Sequence, residues 1–254
     1  MTENSTTPRR ILVTGASSGI GAATARRLVA DGNTVLAVAR RADRLQALAD
    51  EIGVDTCVAD ITQQDDVDAL VAYAESLGGV DAVVNNAGGA FGQEPVWQTD
   101  PENWRKMYDV NVLGTLRVTQ GFLPMLRARG GGDLLFVTST AAYLEYEGGA
   151  GYTGAKHALK MLVRTLRLEL VGEPIRVLEV APGMVHTAEF SSVRFDGDQA
   201  RADAVYKGMD PLVDDDIADA IAWMLSRPTR VNVDTLIVRP VRQASNYKTA
   251  PKKD

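Results

Sequence analysis

The sequence predicts a single-domain α/β fold in which helices cover both faces of a doubly wound parallel sheet. Short apolar runs alternate with longer amphipathic stretches along the 254 residues. A glycine-rich turn, residues 14–21, lies between the first apolar run and the first amphipathic stretch. Alternation of this kind makes the strands parallel and joins them by right-handed crossovers.

The strands are predicted from short apolar runs that are bounded by turn residues. Residues 10–14 (RILVT) end at a glycine and are typical of a strand buried on both faces, and residues 34–39 (TVLAVA) have the same character. The segments that we expect to form strands are 10–14, 34–39, 55–59, 81–84, 133–138, 176–180 and 235–238.

The helices are predicted from apolar positions that recur at helical spacing. In the first helix Ile20, Ala23 and Leu28 share one side, and the pattern stops at the turn residues 31–33 (DGN). Three acidic residues, 214–216, are expected to cap the start of the last helix. The segments that we expect to form helices are 19–30, 43–52, 65–77, 102–129, 152–171 and 215–226.

The chain is expected to form one domain, residues 10–246, between a polar amino-terminal tail, 1–9, and a polar carboxyl-terminal tail, 247–254. The sequence contains no Ser/Gly/Pro-rich linker and no repeat with matching residues. Residues 189–216 are polar and lack a regular pattern, and we expect them to form a lid over the substrate.

Composition excludes several classes of protein. The 27 basic and 33 acidic residues give a net charge of −6, which argues against a nucleic-acid partner. No apolar run approaches the roughly 18 residues of a membrane span, and the amino terminus carries no secretion signal, so we expect a cytoplasmic protein that does not bind membranes. The single cysteine, Cys57, cannot form an intrachain disulfide, and we expect it to be a small core residue. Two histidines and one cysteine supply few ligands for a metal site.

The glycine-rich turn has the composition of a phosphate-binding loop. Gly15, Gly19 and Gly21 allow a tight turn and let backbone N–H groups approach a pyrophosphate, to which the helix amino terminus adds donors and positive charge. Three glycines alone are weak evidence, because turns are rich in glycine. Their position between a strand and a helix makes a dinucleotide site the better interpretation.

The glycine spacing, together with residues further along, resembles the short-chain dehydrogenase/reductase family over nearly the whole chain. The resemblance depends on TGASSGIG (14–21), Asp60, NNAG (85–88), Asn111, Ser139, the pair Tyr152 and Lys156, and Pro182-Gly183. It implies a Rossmann-type fold and a nicotinamide cofactor. The residues that it places at the cofactor are Gly15, Ser17, Ser18, Gly19, Ile20, Gly21, Arg40, Arg41, Asp60, Ile61, Asn86, Ala87, Gly88, Tyr152, Lys156, Pro182, Gly183, Val185 and Thr187.

Two arginines indicate which nicotinamide cofactor is bound. NAD sites usually place an acidic residue about 20 positions beyond the glycines, where it binds the ribose hydroxyls. Here that place holds Arg40 and Arg41, which suit a 2′-phosphate. A basic helix start in solvent is the alternative, and beside the glycine turn we favour NADP.

Tyr152 and Lys156 are four residues apart, so a helix puts them on one face. An ammonium group next to the phenol, helped by the positive nicotinamide of the oxidised cofactor, favours the phenolate, and we expect the two charges to bring the pKa of Tyr152 toward a working range. The resemblance implies that Tyr152 exchanges a proton with the substrate oxygen and that Lys156 also binds the nicotinamide ribose. It makes Ser139 the hydroxyl that orients the substrate carbonyl and Asn111 the anchor of a water in the proton relay, although a surface asparagine is the alternative for Asn111.

Ser139 could in principle be a nucleophile, but it lacks a G-x-S-x-G elbow, and nothing places His157 or His186 beside it. His157 follows Lys156 directly and is expected to point away from the catalytic face, and His186 is expected to be a polar loop residue.

The carboxyl-terminal third resembles the NADP-dependent 3-hydroxy acid (serine) dehydrogenase subfamily, in residues 182–198 and in 231–236 with Pro240 and Gln243. This implies oxidation of serine, L-allo-threonine and related 3-hydroxy acids, and a homotetramer. Arg194 is a candidate to bind the substrate carboxylate, while a surface arginine paired with Asp196 or Asp198 is the alternative.

Three departures from the subfamily leave the substrate open. His186 and the pair Thr187-Ala188 replace small residues, and Tyr143, Leu144 and Tyr146 alter the pocket. A broad carbonyl or ketone reductase is therefore a second hypothesis. A non-catalytic NADPH sensor is a third, against which the intact catalytic set argues, because a sensor needs no tyrosine.

Overall fold

The computed structural model describes residues 8–187, 189–195 and 197–251. A parallel seven-stranded sheet with the order β3-β2-β1-β4-β5-β6-β9 lies at its centre, and β7 and β8 form a separate parallel pair. The strands are β1 (Arg10–Thr14), β2 (Thr34–Ala39), β3 (Asp55–Val58), β4 (Ala82–Asn85), β5 (Gly132–Val137), β6 (Ile175–Pro182), β7 (Val185–His186), β8 (Leu212–Val213) and β9 (Leu236–Val238).

This order confirms the doubly wound fold. The chain runs outward from β1 through β2 to β3, returns to the other side of β1 at β4, and continues through β5 and β6 to β9. In such sheets a crevice opens at the carboxyl ends of the strands where the direction of winding reverses, here between β1 and β4.

The described helices follow the strands. They are α1 (Gly19–Ala30), α2 (Ala42–Ile52), α3 (Gln64–Ser76), α4 (Pro101–Tyr108), α5 (Gly114–Ala128), α6 (Ala150–Glu169), α7 (Phe190–Arg194), α8 (Gln199–Ala204) and α9 (Asp214–Leu225). As expected, α9 begins in the acidic residues, and the side chain of Asp216 accepts a hydrogen bond from the backbone N–H of Val213 at 2.8 Å.

The predicted helix 102–129 is interrupted. A π-helical turn, Asp109–Leu113, separates α4 from α5. The prediction of one regular helix was wrong here because a π turn keeps the amphipathic character of its neighbours while it adds one residue to the turn.

Two hydrophobic layers hold the helices to the sheet. On one face α1, α2 and α9 contribute Leu28, Leu45 and Ile221 to a core with alternate strand residues. On the other face α3, α5 and α6 cover the sheet, with Leu70 and Phe122 among the buried side chains. Successive strand residues point to opposite faces, so each strand supplies both layers.

The segment 189–216 is more regular than we expected, since it contains α7, α8 and β8. These elements have only five, six and two residues, too few to show a period in the sequence. Within the described ranges no helix is long and apolar enough to cross a membrane, and no group of three or more His, Cys, Asp or Glu side chains could hold a metal ion. Of the expected tails, residues 1–7 and 252–254 lie outside the described residues, and the predicted domain limits stay a prediction.

Candidate active site

A cavity of about 550 Å³ lies at the carboxyl ends of β1 to β6. Of the catalytic, cofactor and substrate residues predicted from the sequence, Gly21 and Asn111 do not line it. Those that do are Gly15, Ser17, Ser18, Gly19, Ile20, Arg40, Arg41, Asp60, Ile61, Asn86, Ala87, Gly88, Ser139, Tyr152, Lys156, Pro182, Gly183, Val185, Thr187 and Arg194.

The glycine turn requires its glycines. Gly15 and Gly19 have φ angles of 68° and 53°, which L side chains rarely adopt. A Cβ atom at Gly15 would lie 2.9 Å from the Cα atom of Ala87, and one at Gly21 would run into the carbonyl oxygen of Gly15. Gly21 therefore contributes by close packing beneath the turn, and α1 presents its amino terminus to the cavity.

Asn86 and Thr14 join the turn to the loop after β4. The Asn86 side-chain amide donates to the carbonyl oxygen of Thr14 at 2.9 Å, and the Thr14 hydroxyl accepts from the backbone N–H groups of Asn86 and Ala87 at 3.0 Å each. This network links the two central strands at the point where the winding reverses.

The two arginines after β2 have different surroundings. Arg41 donates to the hydroxyls of Ser17 and Ser18 at 2.8 and 3.0 Å and forms an ion pair of 2.7 Å with Glu189, which precedes α7. The Arg40 side chain is 72% exposed, and its nearest carboxylate oxygen is that of Asp60 at 3.8 Å. Arg41 thus carries a charge at the cavity wall, and Arg40 carries one at its rim.

Asn111 lies in the π-helical turn and is fully buried. Its side-chain amide donates to the carbonyl oxygens of Met107 and Gly89 at 2.8 Å, and its Oδ1 accepts from the backbone N–H of Gly89 at 3.3 Å. A Cβ atom at Gly88 would lie 2.6 Å from Oδ1 of Asn111 and 3.4 Å from Nζ of Lys156. The alternative of a surface asparagine is therefore wrong, because Asn111 supports the loop that lies against Lys156.

Tyr152 and Lys156 share one face of α6, as expected. The Lys156 ammonium is buried, donates to the carbonyl oxygen of Val137 at 3.2 Å and lies 5.7 Å from the centroid of the Tyr152 ring. Ser139 follows β5 and caps the short helical turn Thr140–Ala142, where its Oγ accepts from the backbone N–H of Ala141 at 3.1 Å. Burial raises the pKa of Tyr152, and a hydrogen bond between its hydroxyl and that of Ser139 opposes the rise.

Arg194, at the end of α7, is not a surface residue. The residue is 9% exposed, and its Nε donates to the carbonyl oxygen of Gly92 at 3.0 Å. The guanidinium lies 5.5 Å from the Tyr146 ring centroid, and Nη2 is buried without a hydrogen-bond partner among the described residues. The alternative partner Asp196 lies outside the described residues, while Asp198 caps α8 by accepting from the backbone N–H of Arg201.

A family model described as short chain dehydrogenase matches residues 9–196. The chain belongs to the short-chain dehydrogenase family. The family makes it an oxidoreductase that acts on CH–OH groups.

Three curated relatives of this short-chain dehydrogenase match nearly full length. An oxidoreductase of Mycobacterium tuberculosis, named as uncharacterized, is 56% identical over 250 residues, 98% of each chain. A serine 3-dehydrogenase of Agrobacterium fabrum is 41% identical and is matched over 92% of this chain and 94% of its own. An NADP-dependent 3-hydroxy acid dehydrogenase of Salmonella typhi is 38% identical, with 92% and 96% covered.

A solved structure is similar to this short-chain dehydrogenase in fold. It is described as the closed form of serine dehydrogenase complexed with NADP+, and it superposes with a TM-score of 0.90 at 34% identity. The match covers 96% of this chain and all of that chain.

Burial governs the pKa of the two central groups of the dehydrogenase. It raises the pKa of the Tyr152 phenol well above the ordinary value, and it lowers the pKa of Lys156 to about 8. Without the cofactor, Lys156 therefore does not bring the pKa of Tyr152 down, and the expected effect of Lys156 together with the oxidised nicotinamide stays a prediction. The ammonium donates to Val137 instead of to the phenol, and loss of water around the phenol outweighs the hydrogen bond with Ser139.

Neither histidine of the dehydrogenase belongs to the catalytic group. His157 is exposed on α6 and its Nδ1 lies 2.8 Å from the carbonyl oxygen of Thr153. His186 lies in the short strand β7, so the expectation of a loop residue was wrong, and its ring packs edge-on against the Tyr206 ring at a centroid distance of 4.5 Å. Cys57 is half-buried against the second hydrophobic layer, and burial raises the pKa of its thiol, which is consistent with the expected packing role.

Sequence reasoning gave no site role to Glu189, Gln243 and Asn246, which line the cavity of the dehydrogenase. Glu189 pairs with Arg41 and, at 3.5 Å, with Arg44. Gln243 accepts a hydrogen bond from the backbone N–H of Met184 at 2.8 Å, and the side-chain amide of Asn246 donates to the carbonyl oxygen of Leu144. The position of Gln243 in the subfamily-like ending was the only signal, because contacts this distant along the chain leave no local pattern.

Proposed function

We propose that this dehydrogenase uses NADP(H) to interconvert the hydroxyl and carbonyl forms of a small 3-hydroxy acid, such as serine, L-allo-threonine or 3-hydroxypropionate. The observation that carries this proposal is Arg194, a residue that lines the cavity together with Ser139 and Tyr152 and whose buried guanidinium has one nitrogen, Nη2, without a hydrogen-bond partner among the described residues. A buried cation of this kind favours a ligand with a carboxylate. The names of the relatives and of the solved structure support the same substrate class.

The residues of the glycine turn fit a dinucleotide. Gly15 has no room for a side chain, and α1 begins at the cavity wall with Gly19 and Ile20, so backbone N–H groups there can bind a pyrophosphate. We assign the cofactor site to the set named from the sequence, in which Gly21 acts from beneath the turn. When it is bound there, the nicotinamide supplies or accepts the hydride.

Arg40 and Arg41 are proposed to bind the 2′-phosphate. Both line the cavity, and Arg41 is already oriented by two serine hydroxyls and by Glu189. Guanidinium groups bind phosphate oxygens through paired charge-assisted hydrogen bonds, which NAD, having a 2′-hydroxyl, cannot form as strongly.

The variant with both Arg40→Ala and Arg41→Ala is expected to lose at least about 100-fold in kcat/KM with NADP+ and less than about threefold with NAD+, since each charged hydrogen bond contributes about 1.5–3 kcal/mol. Steady-state kinetics with both cofactors measure the ratio. Arg105→Ala, which removes an exposed arginine on α4, is the control and should change neither value. Equal losses with both cofactors would refute the 2′-phosphate assignment.

Proton transfer is assigned to Tyr152. In the reducing direction its phenol donates a proton to the substrate oxygen, which the Ser139 hydroxyl holds in place. Because burial raises the pKa of Tyr152, the phenol stays protonated through neutral pH and is ready to donate. Lys156 supplies positive charge behind the phenol and reaches the loop that Asn111 supports.

Carbonyl reduction is expected to fall as the pH rises through about 8, because Lys156 then loses its charge. Below this value kcat/KM should be level. A pH profile of NADPH-dependent reduction measures the inflection. Lys156→Arg keeps its charge to higher pH and should move the fall upward; an unchanged inflection in that variant would exclude Lys156 as its origin.

The substrate class is tested by following NADP+ reduction at 340 nm with L-serine, L-allo-threonine, 3-hydroxypropionate, 3-hydroxyisobutyrate and 1-phenylethanol. We expect the hydroxy acids to be oxidised and the plain alcohol to be turned over poorly. Turnover of the plain alcohol alone would favour a broad carbonyl or ketone reductase. NADPH binding without any turnover would favour a sensor. The homotetramer and the cytoplasmic location stay predictions.

A further inference from the structure

One buried carboxylate lies behind the catalytic serine. Glu179 is on β6 and has no exposed surface. Its Oε1 accepts hydrogen bonds from the hydroxyls of Thr138 at 2.7 Å and Tyr143 at 2.9 Å, and its Oε2 accepts one from Thr235 at 3.1 Å. Three hydroxyl donors thus converge on a single side chain.

The partners of Glu179 bracket Ser139. Thr138 precedes Ser139 directly, and Tyr143 ends the short helical turn that Ser139 caps. One oxygen atom therefore holds both ends of the segment that presents the serine hydroxyl. Thr235 ties the same carboxylate to the segment that enters β9.

The network also reaches the helix that carries Tyr152. Lys160 lies one turn beyond Lys156 on α6, and its ammonium is 3.6 Å from the centroid of the Tyr143 ring. Burial and, to a smaller extent, the negative charge of Glu179 raise the pKa of Tyr143 to about 12. The Tyr143 hydroxyl therefore remains a donor at working pH. Tyr143 therefore joins the segment that presents Ser139 to α6, the helix that carries Tyr152.

Packing alone does not account for a carboxylate at this position. The neighbours Leu178 and Val180 fill the opposite layer, and the same-face neighbour Val177 is apolar. Burial of a carboxylate costs several kcal/mol in desolvation, whereas an apolar side chain of similar size would pack without that cost. The carboxylate is compensated by its hydroxyl donors, and two of them belong to the serine segment.

We propose that Glu179 is a positioning residue, which acts through Thr138 and Tyr143 to fix the segment that aims Ser139 Oγ at the substrate oxygen. This inference rests on the proposed function, since it assigns Ser139 the role given there. Glu179 itself touches neither the substrate nor the cofactor, because it lies behind the cavity wall.

A double-mutant cycle between Glu179 and Ser139 tests the proposal. We expect Glu179→Leu to lower kcat by about 30-fold, since small displacements of a reacting group cost up to about 100-fold, and to leave the Kd for NADPH within about twofold. In the Ser139→Ala background the same change should cost less than about threefold. An equal loss in both backgrounds, or no loss in either, would overturn the proposal.

Two further variants separate positioning from stability. Glu179→Gln keeps an acceptor for Thr138 and Tyr143 and can donate to Thr235, so it should retain kcat within about threefold. If Glu179→Leu does not fold, Tyr143→Phe removes one hydroxyl donor and should lower kcat about fivefold. Thr119→Val, which removes a buried hydroxyl that donates to Thr115 within α5, is the matched control and should leave kcat unchanged.

Amide hydrogen exchange gives a readout that does not require turnover. The backbone N–H groups of Ala141, Ala142 and Tyr143 are hydrogen-bonded within the serine segment. Their exchange should become at least about tenfold faster in Glu179→Leu, or in Tyr143→Phe, while exchange in the central strands stays slow. Unchanged exchange in the segment would overturn the role proposed for Glu179. This test does not depend on turnover, so it can be read even if the unaltered protein oxidises none of the substrates offered. That second outcome would refute the proposed function and not the role of Glu179.

Discussion

Replacement of Tyr152 by Phe is expected to lower kcat by about 1,000-fold in both directions, with the Kd for NADPH within about twofold of its original value. The phenol is the group assigned to proton transfer, and a positioned acid or base contributes roughly 100- to 10,000-fold to such a step. The ring itself persists in the variant and keeps its edge contact with Phe190, at a centroid distance of 5.8 Å. Loss of turnover without loss of binding would therefore report the missing proton donor.

The control for this prediction is Tyr73→Phe, which removes a hydroxyl from an exposed tyrosine on α3 that does not line the cavity. It should change kcat by less than about threefold, since this hydroxyl has no assigned proton to move. Stopped-flow fluorescence of NADPH measures binding, and absorbance at 340 nm measures turnover. A Tyr152→Phe enzyme with near-normal kcat would remove the tyrosine from the mechanism.

Arg194→Met is expected to lower kcat/KM for 3-hydroxy acids by about 100-fold and to leave turnover of uncharged carbonyl substrates within about threefold. Removal of one partner of a buried charge pair costs about 2–5 kcal/mol, and about 3 kcal/mol corresponds to the expected factor. Methionine retains an unbranched apolar stem, so the packing between Tyr146 and Phe195 is largely kept. The loss should thus depend on whether the substrate has a carboxylate.

Arg201→Met is the matched control for Arg194→Met. Arg201 lies on α8, and its guanidinium is 4.5 Å from the centroid of the Phe195 ring, which Arg194 also contacts. Unlike Arg194, it is exposed and does not line the cavity. Its replacement should change kcat/KM neither for 3-hydroxy acids nor for uncharged substrates. A similar loss for acids and for uncharged substrates in Arg194→Met would indicate that Arg194 supports the lid and does not bind the carboxylate.

The sheet could be predicted closely because each strand has a strong local pattern. The limits of β1 and β2 match the expected residues, since apolar runs end there at glycine or at charged residues. The π-helical turn could not be predicted, because Asn111 and its neighbours have no residue type that distinguishes π from α winding. The burial of Arg194 could not be predicted either, since α7 is too short to show which side faces the cavity.

The candidate site was predictable where a motif brings its residues together within one element or one turn. Tyr152 and Lys156 are a turn apart on α6, and their placement follows from helical spacing alone. The pKa of Tyr152 was not predictable in this way, because it depends on burial and on the hydrogen bond that Lys156 donates to Val137 of β5. The three hydroxyls on Glu179 come from segments up to 56 residues away, and such contacts exist only in the folded chain.

The π-helical turn between α4 and α5 fixes the number of residues that this part of the chain must have. An α-helix advances by 100° per residue, so one extra residue rotates everything after it by more than a quarter of a turn. The buried side of α5, which includes Val118 and Phe122, faces the sheet only because that rotation has occurred, and Gly114 at its start lies close enough to Ile61 that a Cβ atom would be 2.8 Å from it. Deletion of a single residue between 109 and 113 would therefore turn a whole helix away from its core. Surface loops in the same protein can gain or lose residues with little effect, so descendants of this sequence should vary in loop length and keep the residue count of this helix constant.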